Sequence, residues 1–219
     1  MSYKEGYTEL LRANFLKYMR AAFKLLPKLN NPKILDPGCG TGIPTIELAS
    51  LTNGEISAID VDQQLLEVIN ERVQEMNLTD RIITKKISFL KNDFLENFID
   101  LIWEEGVFHI IGFKKSFDEC YRILKPGRYL VLSQTINNLE KNEHLIIKCG
   151  FRIINELKLP EGCWWTEYYE PLEKMVKNAN QNKELLKNFK NIKNIEEEIR
   201  MVKTNPNEYD CAYYILQKE

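Results

Sequence analysis

The feature that most constrains this fold is residues 34–42, which read Ile-Leu-Asp-Pro-Gly-Cys-Gly-Thr-Gly. Two apolar residues belong to a buried strand, and Asp36 adds a carboxylate where that strand ends. Gly38, Gly40 and Gly42 have no Cβ atom, so a flat ligand can approach their backbone closely. The helix that follows offers free N–H groups in its first turn. The pattern therefore predicts a strand, a ligand-binding loop and a helix.

The spacing of the glycines separates two classes of nucleotide ligand. A dinucleotide-binding loop has glycine at its first, third and sixth positions. Counted from Gly38, the sixth position is Ile43. The sequence therefore disfavours a nicotinamide oxidoreductase and favours another adenosyl ligand.

A second acidic position follows at the distance expected for a ribose contact. Residues 55–59 are predicted to form a short strand, and Asp60, Val61 and Asp62 follow it directly. A carboxylate at the end of a strand can accept hydrogen bonds from both ribose hydroxyls. Alone, Asp60 would more often be the N-cap of the next helix, but beside the glycine loop we expect it to bind ribose.

Composition limits the class of protein. The 219 residues carry a net charge of −2 without a dominant basic run, so we expect a small-molecule partner and no nucleic acid. The five cysteines are widely spaced without a CxxC pair, which indicates reduced thiols and no metal site. Charges interrupt the N-terminal stretch and no run is long enough for a membrane span, so a cytoplasmic location is expected.

Short apolar segments alternate with helical patterns along most of the chain, which predicts one α/β domain over residues 1–219. Its fold is expected to be Rossmann-like, with helices on both faces of a mostly parallel sheet. An N-terminal helical segment, residues 1–31, precedes the sheet. The predicted strands are 33–36, 55–60, 81–87, 100–104, 129–133, 151–157 and 211–216. The helix after the second strand is expected to turn Leu66, Ile69, Val73 and Met76 toward the core.

Residues 160–206 are predicted to form a helical cap inserted before the last strand. Their apolar positions repeat at helical spacing, at Leu185, Leu186, Phe189, Ile192, Ile195 and Ile199. A solvated hairpin that only covers the sheet edge is the alternative. The cap begins with an aromatic cluster, Trp164, Trp165, Tyr168 and Tyr169, which either packs a lid or lines a substrate pocket.

Further motifs extend over nearly the whole chain: Tyr18-x-Arg20-x-Ala22-Phe23, Asp100-Leu-Ile-Trp-Glu-Glu-Gly106, Ile111-Gly-Phe113, Leu124-Lys-Pro-Gly127 and Trp164-Trp165. With the loop Asp36-x-Gly38-x-Gly40-x-Gly42, they resemble class I S-adenosylmethionine (SAM) dependent methyltransferases, in particular prokaryotic small-molecule enzymes of the type 11 kind. The resemblance implies SAM as cofactor and a seven-stranded sheet whose last strand is antiparallel. It implies cofactor contacts from Asp36, Gly38, Cys39, Gly40, Gly42, Asp60, Val61, Ser88, Phe89, Glu104 and Arg20.

Some of these positions have alternative explanations. Ser88 stands where many class I enzymes have an acidic residue that binds the adenine amine, and a serine oxygen can accept the same bond. Phe89 could stack on adenine, although a phenylalanine at a strand end is more often core. Arg20 is expected over the methionine carboxylate of SAM or an anionic acceptor, or simply in solvent. Arg128 replaces the second glycine of the usual Lys-Pro-Gly-Gly turn, which predicts a tolerated angle or modest strain.

Candidate catalytic groups follow the fourth strand, because ligand sites in parallel sheets lie at the carboxyl ends of strands. Glu105 is the first candidate base, and His109, one helical turn further on, is the second. Glu105 could equally cap the start of a helix. If the acceptor is an amine, the aromatic cluster could hold it by cation–π attraction with Glu105 adding charge.

Two functions from different classes remain open. The first is a methyltransferase acting on an unidentified small-molecule acceptor beneath the cap. The second is a nonenzymatic binding or regulatory protein on the same fold. The sequence is compatible with a monomer or a homodimer.

Overall fold

The computed structural model describes residues 7–181 and 192–219. Seven strands in these ranges form one sheet. They are β1 (Lys33–Pro37), β2 (Glu55–Asp60), β3 (Ile82–Lys86), β4 (Ile99–Glu105), β5 (Leu124–Thr135), β6 (Phe151–Lys158) and β7 (Cys211–Lys218). The seven predicted strands are confirmed, and β5 begins five residues earlier than expected because the chain from Leu124 is already extended and pairs with Ile99.

The strand order is β3-β2-β1-β4-β5-β7-β6. β1 lies parallel to β2 and β4, whereas β7 is antiparallel to β5 and β6. The mostly parallel Rossmann-like sheet with a reversed last strand is therefore confirmed. The order changes direction between β1 and β4, and a crevice opens beyond the carboxyl ends of such a pair of strands. The glycine loop follows β1 and Glu105 ends β4, so both lie at this crevice.

Nine α-helices are described. They are α1 (Tyr7–Ala13), α2 (Leu16–Phe23), α3 (Ile43–Leu51), α4 (Gln63–Glu75), α5 (Phe108–Ile111), α6 (Phe113–Ile123), α7 (Ile136–Lys148), α8 (Glu170–Asn180) and α9 (Ile192–Thr204). Successive side chains of a strand point to opposite faces of the sheet, and both faces of this sheet are apolar. α2, α3 and α4 pack on one of them, and α5, α6 and α7 pack on the other. In the described ranges, no helix combines the length and apolar character needed to cross a bilayer.

Two predictions about individual residues are changed by the fold. Leu66, Ile69 and Val73 of α4 are buried as expected, but Met76 is 53% exposed because α4 ends at Glu75. Arg128 does not have a left-handed backbone. Gly127 takes that conformation instead, with φ +71°, and the Arg128 guanidinium lies 3.1 Å from Asp100 Oδ1. Of the two alternatives for Arg128, the structure has the tolerated backbone angle and not the strain.

The segment between β6 and β7 packs against the N-terminal helix. One turn of π-helix, Trp165–Tyr169, leads into α8, and α9 returns toward β7. Leu11 of α1 shares a hydrophobic cluster with Tyr169, Leu172 and Val202. The predicted helical positions Leu185, Leu186 and Phe189 lie outside the described residues. From here on, the cap means the described helices of the segment between β6 and β7 together with α1. Its members are α1, the π-helical turn, α8 and α9.

Candidate functional site

The glycine loop is fixed to the end of β2 by its backbone. The N–H groups of Gly38 and Cys39 donate to the carbonyl of Ile59 at 2.7 and 3.0 Å. Gly38 and Gly42 both have positive φ angles, and a Cβ at either would overlap a neighbour: Val107 at 2.3 Å or Ile69 at 2.4 Å. Glycine is therefore required at both positions. Gly38 remains exposed at the crevice, so its backbone is open to a ligand.

Asp36 lies beneath this loop and is almost completely buried. It accepts a hydrogen bond from the Thr45 hydroxyl of α3 at 2.6 Å. Burial raises the pKa of Asp36 to about 7, although the Thr45 hydrogen bond acts in the opposite direction. Asp36 therefore orders the start of α3 below the loop.

Asp60 lies at the crevice and is not the cap of α4. Its Oδ2 accepts the Gly40 N–H at 3.0 Å and its Oδ1 accepts the Asp62 N–H at 2.9 Å. Asp62 is the N-cap, since its Oδ1 accepts the Gln64 N–H at 2.8 Å. Val61, between them, is 65% exposed. At the end of β2, the Asp60 carboxylate thus lies beside the exposed apolar side chain of Val61.

Glu104 and Glu105 point to opposite faces of β4, because side chains alternate along a strand. Glu104 is fully buried, and it accepts hydrogen bonds from the N–H groups of Val107 and Phe108 and from the Gln134 amide. Burial raises the pKa of Glu104 to about 7. Glu104 therefore caps α5, which corrects its predicted contact with the cofactor. The capping role considered for Glu105 belongs to Glu104.

Glu105 lies at the centre of the crevice. Its Oε1 accepts hydrogen bonds from Trp103 Nε1 at 2.9 Å and from the Tyr213 hydroxyl at 2.8 Å. Its Oε2 lies 3.6 Å from the Arg12 guanidinium of α1. Two donors and one cation thus surround this carboxylate.

Two cavities meet at the Arg12–Glu105 pair. The smaller, about 220 Å³, lies over the glycine loop, and its other walls include Asp36, Glu9 and Tyr168. The larger, about 520 Å³, lies under the cap and is mostly apolar. Its lining includes Phe15, Leu159, Trp164, Tyr169, Tyr209 and Tyr213, with polar groups from Gln134, Asn138 and His109. A ligand on the loop and a second ligand under the cap would therefore approach each other beside Glu105.

The four aromatic residues predicted to contact substrate do not all line the same cavity. Trp164 and Tyr169 line the larger cavity and Tyr168 lines the smaller one. Trp164 also stacks on Phe15, with ring centroids 4.3 Å apart. Trp165 lines neither cavity and lies under the Lys203 ammonium of α9, 5.4 Å from its ring centroid. Its predicted contact with substrate is therefore replaced by a packing role in the cap.

Two further predicted contacts are corrected. Arg20 forms a two-bond ion pair with Glu47 of α3, at 2.6 and 2.9 Å, so its guanidinium is held away from both cavities. Phe89 is only 5% exposed and already stacks on Phe108 at 5.6 Å between ring centroids. Its ring therefore belongs to the core, whereas Ser88, just before it, stays partly exposed.

Sequence reasoning missed Arg12 and Tyr213. Arg12 and Arg20 are both arginines of the N-terminal helices, and no local pattern shows which one faces the crevice. Tyr213 lies on β7, far along the chain from Glu105. Its hydroxyl is placed only by the pairing of β7 with β5. Among the described residues, no three His, Cys, Asp or Glu side chains cluster as metal ligands.

The two buried carboxyl groups make stability depend on pH. Their pKa values are about 7 in the folded protein, against 3.8 for Asp36 and 4.5 for Glu104 in the unfolded chain. The folded protein therefore binds these two protons more tightly than the unfolded chain does. The resulting stabilisation of the folded state is complete below about pH 4 and is lost as the pH rises through about 7. We expect the free energy of unfolding in urea to fall between pH 5 and pH 8, by up to about 3 kcal/mol for each group.

The contribution of Asp36 can be isolated by substitution. Asp36→Asn should flatten the pH profile, because it removes one of the two titrating groups. Asp93→Asn removes an exposed carboxylate on the surface and should leave the slope unchanged. A wild-type stability that is constant over this pH range would contradict the assignment.

Comparison with known proteins finds one matching family. A model of the methyltransferase domain matches residues 34–127, the stretch that runs from β1 to the start of β5. Residues 34–127 are therefore similar to a methyltransferase domain. The match covers the glycine loop, Asp60 and Glu105, whereas the cap lies outside it.

Individual relatives share this domain at modest identity. Methyltransferase GfsG of Streptomyces halstedii is 30% identical over 105 residues, which cover 48% of this chain and 38% of GfsG. The chain spans only 20% to 53% of the length of three other curated relatives.

Solved structures share the fold over almost the whole chain. The cyclase SpnF has a TM-score of 0.78 at 15% identity, covering 92% of this chain and 80% of SpnF. Phosphoethanolamine N-methyltransferase 2 of Haemonchus contortus, in complex with S-adenosyl-L-methionine, has a TM-score of 0.69 at 17% identity. That alignment covers 100% of this chain and 60% of the other.

Proposed function

We propose that this protein is a SAM-dependent methyltransferase that acts on a small molecule held beneath the cap. The observation that carries the proposal is the pair of cavities that meet at Glu105: one lies on the glycine loop and the other under an aromatic wall. Methyl transfer requires two bound molecules in contact and shielded from water. This geometry provides a place for each.

The residues at the loop fit an adenosyl cofactor. The exposed backbone of Gly38 admits close approach, and the Asp60 carboxylate has acceptor capacity left for ribose hydroxyls. The exposed side chain of Val61 offers an apolar surface for the adenine ring. Ser88, on the neighbouring strand end, is the candidate partner for the adenine amine. When bound, SAM would supply an electrophilic methyl group.

The structure favours a neutral or anionic acceptor over the amine considered from the sequence. An amine would need the aromatic face of Trp164 and the charge of Glu105. Arg12 already occupies both positions, because its guanidinium lies 5.3 Å from the Trp164 ring centroid and 3.6 Å from Glu105. The remaining walls are aromatic and apolar, with amide and hydroxyl groups near β5.

His109 is the better placed of the two candidate bases. It is exposed and lines the larger cavity, so it can take a proton from an acceptor and pass it to solvent. Glu105 is engaged by Trp103, Tyr213 and Arg12, and we assign it the role of a fixed charge between the two ligands.

Calorimetric titration with SAM and S-adenosylhomocysteine, with a nicotinamide dinucleotide as control, tests the cofactor assignment. We expect micromolar binding of the two adenosyl ligands and none of the dinucleotide. Transfer of a labelled methyl group from SAM to neutral and anionic aromatic acceptors then tests the reaction. Adenosyl binding without transfer to any acceptor class would favour the binding or regulatory alternative. No adenosyl binding by folded protein would contradict both.

A further inference from the structure

We propose that the methyl acceptor is an uncharged molecule with an apolar body and a hydroxyl group, and that Gln134 recognises this hydroxyl. The inference rests on the proposed function and names the substrate class for the larger cavity. Its basis is one hydrogen-bond acceptor, Gln134 Oε1, whose direction is fixed by the carboxylate of Glu104 behind it.

The Gln134 side chain is held in one orientation by Glu104. Its Nε2 donates to both carboxylate oxygens of Glu104, at 2.9 and 3.1 Å. A carboxylate only accepts hydrogen bonds, so the amide turns its NH₂ group toward Glu104 and its carbonyl oxygen away. Glu104 is held in turn by the N–H groups of Val107 and Phe108 at the start of α5. Gln134 therefore presents a fixed carbonyl oxygen on the side away from Glu104.

This carbonyl oxygen has no partner within the part of the chain that the structure describes. Although Gln134 is only 4% exposed, its Oε1 is not sealed, since the buried polar atoms left without a partner there are Glu9 Oε1 and Trp164 Nε1. Gln134 lines the larger cavity, so the oxygen opens into it. A ligand that fills the cavity without a donor would leave this oxygen buried and unsatisfied, which is costly.

A hydroxyl group matches a second polar side chain four residues further along the chain. Asn138 lies in the first turn of α7 and lines the same cavity, and its side-chain amide has no hydrogen bond to the described residues. A hydroxyl can donate to Gln134 Oε1 and also accept from the Asn138 amide, whereas an indole or amide N–H only donates. The two side chains together therefore favour a hydroxyl.

The charges around Gln134 disfavour an ionised group at this position. An anion would meet the Gln134 carbonyl oxygen with the Glu104 carboxylate directly behind it. An ammonium would be attracted, but Glu104 is fully buried and already accepts hydrogen bonds from three groups, so the ion would be desolvated without a carboxylate contact. An anion that binds Arg12 instead is one outcome of the test.

The rest of the larger cavity suits an apolar body. Glu104 and Gln134 lie on the sheet face that α5, α6 and α7 cover. Phe15, Leu159 and Trp164 belong to the hydrophobic cluster on the opposite face, and all three line the cavity. A ligand that spans the cavity therefore meets amide groups from one side of the sheet and aromatic rings from the other.

Two naphthalene probes that differ in one group test the assignment. 2-Naphthol carries a hydroxyl, whereas the methyl ether of 2-methoxynaphthalene cannot donate a hydrogen bond. Both are titrated calorimetrically into protein saturated with S-adenosylhomocysteine at pH 8, above the pKa of about 7 of Glu104. The quantity compared is the Kd of the ether divided by the Kd of naphthol, because losses common to both probes cancel in this ratio. 2-Naphthoate and the ammonium form of 2-(aminomethyl)naphthalene are the charged probes.

Two variants change the proposed contact, and one serves as control. Gln134→Met removes the amide at similar volume, and Glu104→Gln removes the carboxylate that orients it. Gln217→Met is the matched control, because it makes the same change on the neighbouring strand β7. Gln217 Nε2 likewise donates to a protein oxygen, the Gly127 carbonyl at 2.8 Å, but Gln217 lines neither cavity.

We expect the ratio to fall about 10-fold in Gln134→Met, the factor that corresponds to one lost hydrogen bond. In Glu104→Gln the Gln134 amide is free to turn, so the ratio should fall by about threefold while naphthol still binds. Gln217→Met should keep the wild-type ratio. Wild type should bind both charged probes at least about 10-fold more weakly than 2-naphthol.

Several outcomes would overturn the proposal and leave the proposed function intact. An unchanged ratio in Gln134→Met would show that Gln134 does not recognise the hydroxyl, and an unchanged ratio in Glu104→Gln would show that the carboxylate does not orient the amide. Tighter binding of either charged probe than of 2-naphthol, or no binding of 2-naphthol, would rule out the substrate class. Failure of wild type to bind S-adenosylhomocysteine would contradict the proposed function itself. A far-UV spectrum and a urea unfolding curve for each variant establish that the compared proteins are folded.

Discussion

Gly42→Ala is expected to lower the free energy of unfolding by about 3 kcal/mol. Gly42 has φ +85°, and a left-handed conformation costs an alanine about 1–2 kcal/mol. The added methyl would also lie 2.4 Å from Ile69, a fully buried residue of α4, and overpacking of this kind costs about 1–3 kcal/mol. Urea unfolding monitored by tryptophan fluorescence measures the loss.

Gly40→Ala is the matched control for this substitution. Gly40 also has a positive φ, +55°, but no atom lies within 4 Å of an added Cβ. It should therefore show only the backbone cost, about 1 kcal/mol. The difference between the two variants measures the overlap with Ile69. Equal losses would mean that α4 moves aside, and that backbone conformation alone selects glycine in this loop.

Asp60→Ala is expected to weaken the binding of S-adenosylhomocysteine by roughly 10- to 100-fold, because hydrogen bonds to a charged group contribute about 1.5–3 kcal/mol. The substitution removes the proposed acceptor of the ribose hydroxyls. It also frees the Gly40 N–H, which Asp60 binds at 3.0 Å, so the loop loses an internal contact. Calorimetric titration of wild type and variant measures the effect.

Asp62→Ala removes a carboxylate only two residues away, with a different expected result. Asp62 caps α4 through the Gln64 N–H, and the loss of an N-cap costs about 1 kcal/mol of stability. The affinity of the Asp62→Ala variant for S-adenosylhomocysteine should stay within a few fold of that of wild type. If Asp62→Ala weakened binding as strongly as Asp60→Ala, the ribose assignment to Asp60 would be wrong.

The sequence determined the sheet and the glycine loop because both depend on local physical chemistry. Each strand is a short apolar run, and alternation of helical and strand periods leads to a parallel sheet. Gly38 and Gly42 stand where the chain turns with positive φ, and few other residues tolerate that conformation. Since ligand sites lie at the carboxyl ends of parallel strands, the position of the crevice followed from the strand pattern as well.

The tertiary structure decided which member of each similar pair faces the crevice. Arg12 rather than Arg20, Glu105 rather than Glu104, and Trp164 rather than Trp165 line the cavities. Each pair contains identical side chains on neighbouring segments, so residue type cannot separate them. Their orientation depends on where the chain crosses the sheet, as with Arg20, which meets Glu47 when α2 packs on α3. Such contacts join residues distant in sequence, and only the packing of whole elements brings them together.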